Sequence, residues 1–248
     1  PAALLGSGIP LLSDGLNLDL DNLQAGPVVA DLERRFLSHR DFVSIHLNSD
    51  SSPPGHGFNA MDQIQGKTWY SAKPVPEQPL RLIVFDSVAE NEHYGIPFYF
   101  GILKRAHFEA FILPEIVAAS RAGEWVILAS HHPPVDFDLG FAGDNVGTAE
   151  FRRRVGLYGN VIMHLIGHTH RHRAEIIPGP YPYLEIETAA IIDFPQEGRL
   201  LDVFLAEDGR SLRVESQLFS HIDAPTTFSA ESYRRASAIA ATGKSQSQ

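Results

Sequence analysis

Three short apolar runs in this chain each stop abruptly at a residue capable of chemistry: Arg81–Asp86 (RLIVFD), Trp125–Ser130 (WVILAS) and Val161–Ile166 (VIMHLI). Runs of this length and composition, bounded by turn formers, read as strands buried in a sheet. The second ends in His131, His132, Pro133 and Pro134, where proline halts the hydrogen-bonded ladder. The third runs straight into Gly167, His168, Thr169 and His170. Two strands therefore deliver histidines from their carboxyl ends, which is where open α/β architectures bind ligands, because loops converge there on one crevice.

The segments between and around these runs supply the other layers. Leu103 to Ala122 alternates apolar and polar faces as an amphipathic helix interrupted near Pro114. Thr148 can cap a helix running to about Leu157, with Gly159 placed to end it. Downstream, Tyr183 to Thr188, Leu200 to Ala206 and Ser211 to Phe219 read as antiparallel strands, the last two joined by a hairpin-type turn at Glu207, Asp208 and Gly209. Early alternation of strand and helix followed by a meander predicts an α/β sandwich with mixed sheets flanked by helices. Upstream, Pro1 to Gln24 reads as irregular, Val28 to Leu37 as a short surface helix, and Asn48 to Asn59 as a loop crowded with turn formers. Residues 1–222 form the main unit, and 223–248 a C-terminal helix, starting near Ala230, with a polar tail.

Composition removes whole classes of function. With no cysteine in 248 residues, disulfides, thiolate zinc sites and cysteine nucleophiles are excluded, so any metal must be held by imidazole, carboxylate or amide groups. A formal net charge of −10 repels a phosphate backbone at long range, and no nucleic-acid partner is expected. An anionic substrate must then be drawn in locally, and bound cations supply such local charge. No run approaches the roughly 20 apolar residues that span a bilayer, and Pro1 to Gln24 has no signal-peptide pattern. Neither membrane nor signal segment is visible, and the compartment stays open, a secreted or periplasmic parent protein included.

His131, His168 and His170 are the candidate metal ligands, because neutral imidazole suits iron, manganese or zinc and three rings reach the same crevice. His168 and His170 would point the same way on an extended strand, whereas on a turn they can diverge, with Gly167 permitting close backbone approach. His132, pinned by the prolines, is either a hydrogen-bonding neighbour of the ligands or a group that touches substrate. His56, between Gly55 and Gly57, is a candidate substrate contact from a loop. Consecutive Arg152, Arg153 and Arg154 point in different directions on a helix and read as a solvated face. Asp86 and Asp193 read as carboxylates that tie down turns, and Glu185 and Glu187 as structural or surface groups.

At this point SHHPP at Ser130 to Pro134 and GHTH at Gly167 to His170 resemble the last two motifs of the calcineurin-like metallophosphoesterases, in the family's order. RLIVFDS at Arg81 to Ser87 resembles the family's strand between its third and fourth motifs, and ADLERRFL, GHGF and ETAAIIDFPQ resemble a bacterial subgroup, so most of residues 28–205 is covered. The resemblance implies a metallophosphoesterase-type α/β sandwich around two divalent or mixed-valence ions (iron, manganese or zinc), with His131 and His168 on one metal and His170 on the other. It implies a hydrolase of phosphoric esters, monoester or diester, whose nucleophile is a hydroxide bridging the metals. The family's first three motifs (Asp-x-His, Gly-Asp-x-x-Asp and Gly-Asn-His-Asp/Glu) are absent here; Gly143 to Gly147 comes nearest and lacks the second Asp. The implied arrangement is thus the C-terminal portion of a larger enzyme whose partners are a phosphoester substrate and an N-terminal segment of the same enzyme, carried on a separate chain or removed. The alternatives are a non-catalytic metal-binding or scaffold fragment and a mononuclear three-histidine zinc hydrolase with water at its open fourth position. An isolated portion of a sandwich exposes sheet edges and apolar surface, which predicts poor solubility alone.

Overall fold

In the computed structural model, residues 31, 37–88, 101–139, 143–208, 211–220 and 227–241 are described. The expected opening segment, most of the helix expected at Val28 to Leu37, Gly209 of the hairpin turn and the polar tail lie outside them. Six strands form one mixed sheet in the order β1-β2-β3-β4-β6-β5: β1 Tyr70–Ala72, β2 Leu80–Val84, β3 Trp125–Ala129, β4 Val161–Ile166, β5 Arg173–Ile177 and β6 Tyr183–Glu187. Strands β2, β3, β4 and β6 run parallel, while β1 and β5 pair antiparallel at the two edges. A separate antiparallel ribbon is made by β7 Glu197–Leu205 and β8 Leu212–Ser220.

The three apolar runs are thus the central parallel strands, and the expectation of an α/β fold with two sheets flanked by helices holds. One expectation is corrected: the Tyr183 segment is parallel to its inner neighbour β4, because it returns to the sheet beside that strand after the edge strand β5 has turned back. Strand β5 carries no apolar alternation and is exposed along most of its length. Charged Arg173 and Glu175 on that edge discourage pairing with another chain.

One face of the sheet is covered by helices. α3 (Arg105–His107) continues through a π turn at Phe108–Ile112 into α4 (Leu113–Arg121). The interruption expected near Pro114 is this wider turn, which accommodates a proline ring that would otherwise collide with the preceding turn. α5 (Thr148–Val155) is preceded by Gly147 rather than capped by the Thr148 hydroxyl, and it ends at Gly156, not Gly159. Instead the Asp138 carboxylate accepts from Thr148 N–H at 2.9 Å, and the Thr148 hydroxyl donates to Pro134 O at 2.6 Å. These bonds fasten the start of α5 to the 3-10 turn Pro134–Leu139 that follows the histidine pair.

Beneath the helices lies the main core: Leu103, Phe108, Ile112 and Ile116 from the first helical segment meet Ile83, Val126 and Leu128 from the strands, with Phe151 and Val155 from α5. Phe151 is fully buried and stacks within about 6 Å of Phe85, Phe108, Phe137 and His164. The other face carries Ile127, Met163 and Ile186, flanked by half-buried Leu80, Leu82, Leu165 and Leu184, with Leu201, Val203 and Val214 of the ribbon packed on part of it. Strand alternation breaks at Ile162, where the β3–β4 register shifts between Val126 and Ile127. The extra residue sends both Ile162 and Met163 to the second face.

Two short helices without a strong apolar period precede the sheet: α1 His39–Leu47 and α2 Ala60–Gln65. Each starts with a reciprocal capping box, Ser38 with Asp41 and Asn59 with Asp62. Between them the expected loop holds one 3-10 turn, Pro54–Gly57. At the other end α6 spans Thr227–Ala241, three residues earlier at its start than expected. Among the described residues no helix is long and apolar enough to cross a membrane.

The arginine triplet is largely structural rather than solvated. Arg152 forks onto Glu185, a carboxylate only 1% exposed, and Arg154 binds Glu109 while lying 5.0 Å from the Phe108 ring. Removing the ring that ties helix to sheet should be costly. Phe151→Ala is expected to lower unfolding free energy by about 3–5 kcal/mol, read as a shift in the urea midpoint at unchanged slope.

Candidate metal centre

The site begins with strand pairing. β3 and β4 run parallel and end side by side: Ser130 N–H donates to Leu165 O at 3.1 Å and Gly167 N–H to His131 O at 2.9 Å. The two histidine segments are thereby zipped together one residue past the strands. His131 Nε2 and His168 Nδ1 face each other at 3.3 Å, and the His132 ring lies 4.8 Å from that of His131 and 4.4 Å from that of His168. One ligand nitrogen from each of His131, His132 and His168 falls within 4.8 Å of the others. Two imidazoles on one tetrahedral ion with bonds of about 2.1 Å would hold their nitrogens about 3.4 Å apart, so the 3.3 Å separation fits a shared cation.

The backbone here is unusual. His168 and His170 adopt φ values of 73° and 57°, the left-handed region that non-glycine residues rarely enter and that concentrates at functional sites. This turn separates the two side chains. His168 faces His131, whereas His170 Nδ1–H donates to Asp193 Oδ2 at 2.5 Å, leaving its Nε2 as the ring's lone-pair nitrogen. Asp193, read from sequence as a turn residue, is thus His170's partner. The charge of His170 nevertheless bears on both His131 and His168, so the three rings share one neighbourhood.

His132 is 2% exposed and is held by Ser87, whose hydroxyl accepts from the His132 backbone N–H at 3.1 Å and pairs with its Nδ1 at 3.0 Å. Nδ1–H donation to Ser87 would present Nε2 as a lone pair. Gly101 fits flat against this residue: an added Cβ would stand 2.7 Å from His132 Cβ and 3.1 Å from Asp136 Cβ. Behind the site, Ser130 Oγ–H donates to His132 O at 2.9 Å and therefore accepts from His164 Nε2–H at 2.9 Å. That fixes the tautomer of His164, whose Nδ1 is buried with no hydrogen-bond partner. His164, fully buried, ties the core to the strand end.

Charge is controlled as metal binding needs. Desolvation first, then the neighbouring His168 and His170 charges, push the His131 pKa below its ordinary value, with Asp136 opposing. Desolvation and then His170 do the same for His168, with Glu187 opposing. Neutral imidazole is the ligand form. Burial and then Glu187 raise the carboxyl of Asp136, which lies 3.6 Å from His168 Nε2 and was not singled out from the sequence.

His56 lies elsewhere. Its ring packs 5.6 Å from His46, in an aromatic group that continues through Phe42 and Phe58 to Tyr70. It is not part of the strand-end cluster. His172 bonds to Glu197 at 3.0 Å and accepts from Arg199, a structural tie between the sheet and the ribbon. Asp86 caps its own turn by accepting from Val88 N–H at 2.8 Å, and Glu187 accepts from Thr169 and Arg173.

Fold and site together define an α/β protein with a strand-end histidine cluster able to coordinate a metal ion. No family model matches the chain, and no curated protein matches it. Among solved structures it is similar to a Staphylococcus aureus protein provisionally named a 5'-nucleotidase and solved with alpha-ketoglutarate, at 16% identity and a TM-score of 0.40. The match covers 68% of this chain and 33% of that one, so the chain spans about a third of the length of that relative.

Two outcomes are expected. Gly101→Ala should destabilise by about 1–3 kcal/mol in a urea melt, since the added methyl meets two fixed side chains. His164, with its pKa lowered to about 3 by desolvation and then by Arg152, stays neutral when folded but takes a proton when unfolded below about pH 6.5. The unfolded state then binds more protons, so this stability is present above pH 6.5 and is lost as pH falls towards 3, by up to about 1.4 kcal/mol per pH unit. In His164→Gln the pH dependence of the unfolding free energy should be shallower by that amount.

Proposed function

We propose that this chain is the C-terminal portion of a metal-dependent hydrolase of phosphoric esters, a phosphomonoesterase or phosphodiesterase of the calcineurin-like kind. The observation that carries the reading is the convergence of His131, His132 and His168 nitrogens within 4.8 Å at the ends of two adjacent parallel strands. The SHHPP and GHTH motifs support the family, because His131 and His168, two of the three residues that resemble its ligands, are brought together at the paired strand ends, while His170 turns to Asp193.

The donor set fits a borderline cation such as zinc, manganese or iron: neutral nitrogens, lowered pKa values and a left-handed turn that aims His168 at His131. Such a cation, when bound, supplies Lewis acidity to the phosphoryl oxygens and acidifies water that it binds. The chain's own part is to hold His131 and His168 as lone-pair donors and to keep His170 Nε2 available through the Asp193 bond. His132, fixed by Ser87 and Gly101, borders the cluster, where it can take a place on the cation or donate to a substrate oxygen. His56 remains a candidate substrate contact only if substrate extends to the aromatic group around His46.

A completing segment would bring the carboxylates, the amide and the further histidine of the family's first three motifs. Supporting surface exists: half-buried Leu80, Leu82, Leu165 and Leu184 line the second face of the main sheet, and Leu200, Leu218 and Phe219 are 52%, 43% and 53% exposed on the ribbon. A second reading, one zinc on three histidines, is favoured by the compact nitrogen triangle and by the turning of His170 towards Asp193.

Metal analysis of the purified protein alongside bis-p-nitrophenyl phosphate hydrolysis separates these readings. About two metals with turnover is the expected result for the completed enzyme; about one metal selects the mononuclear site, and none selects a scaffold. His131→Ala and His168→Ala should each cost on the order of 100-fold or more in turnover. Alone, the 248-residue chain should self-associate through its apolar sheet face, and a monodisperse monomer in sedimentation would count against a completing segment.

A further inference from the structure

We infer that Asp136 is the positioning carboxylate for His168, accepting its Nε2–H so that Nδ1 is held as a lone pair towards the cation. The inference rests on the metal-site reading above and adds a residue to it. Two observations on one oxygen carry it. Asp136 Oδ2 is buried without a hydrogen-bond partner, although its carboxylate has nothing but acceptor capacity to offer when ionised. The group placed to satisfy it is His168 Nε2, at 3.6 Å.

Ring geometry assigns the role. His168 presents Nδ1 to His131 at 3.3 Å and Nε2 to Asp136, so the two partners stand at different nitrogens of one imidazole. Asp136 therefore acts through His168. Metal-binding histidines usually donate their second ring N–H to a carboxylate or carbonyl, which sets tautomer and orientation and raises ligand basicity. The separation of 3.6 Å lies just beyond hydrogen-bond range and closes with a small ring rotation.

The surroundings hold Asp136 in place. Its backbone N–H donates to Pro133 O at 3.0 Å within the 3-10 turn, and that turn is locked to α5 through Asp138 and Thr148. Gly101 leaves room for its Cβ beside that of His132. The carboxylate thus sits on a rigid turn, as a residue that orients another must.

Nitrogen-15-labelled full chain, metal-free, tests the tautomer directly through long-range proton–nitrogen correlations, with His168→Gln identifying the resonance. The expected result is a His168 ring protonated at Nε2, and loss of that preference in Asp136→Ala. Titration with Co²⁺ alone, followed by its visible absorption, should show affinity weakened about 10–100-fold in Asp136→Ala and less in Asp136→Asn, whose amide oxygen still accepts. If Asp136→Ala does not melt cooperatively, Asp136→Leu, which fills a similar volume without an acceptor, serves for both readouts. A wild-type ring protonated at Nδ1, or variants with unchanged tautomer and Co²⁺ affinity, overturns the role of Asp136 while the metal site stands on the losses in His131→Ala and His168→Ala. Failure of the wild-type chain to take up Co²⁺ overturns the metal site itself, and this role with it.

Discussion

The hydrogen bond from Gly167 N–H to His131 O continues the parallel β3–β4 ladder one step past the strands, and the site depends on it. Side chains at strand ends are otherwise free to splay. With the two termini bonded, His131 and His168 are brought to 3.3 Å without any long loop having to be ordered for the purpose. The entropy of assembling ligands from distant sequence positions is met by the folding of the sheet, so a cation would find its donors already grouped.

A second line of force runs from the core. Phe85 and Phe151 pack against each other and against the buried His164, which holds Ser130, which in turn holds the carbonyl of His132. On the opposite side Ser87, Gly101 and the 3-10 turn fix His132 and Asp136. The histidines are thus set in a frame of packed rings and hydroxyls. The strained φ values at His168 and His170 persist because this frame over-determines the turn between them.

Much of the fold was legible because its signals are local. VIMHLI is apolar enough to mark β4 at its observed bounds, and WVILAS marks β3 to within one residue. The ribbon followed from the Glu207–Asp208–Gly209 turn between alternating runs. Arg173 to Ile177 escaped notice because an edge strand with four exposed residues has no hydrophobic period to read. Gly159 is the helix end expected from sequence, whereas α5 ends three residues earlier at Gly156, whose N–H bonds to Arg152 O.

The sequence by itself determined that histidines would stand at the tips of buried strands, since proline and glycine placed directly after apolar runs leave no other register. It also determined part of the donor chemistry, because a chain without cysteine can offer a metal no thiolate. Tertiary structure decided which rings meet. Parallel pairing of β3 with β4 put His131 and His132 beside His168, the left-handed turn gave His170 to Asp193, and the 3-10 turn delivered Asp136 to the far nitrogen of His168. Such choices rest on distances between residues far apart in the chain, and only the packed sheet and its helices fix those distances.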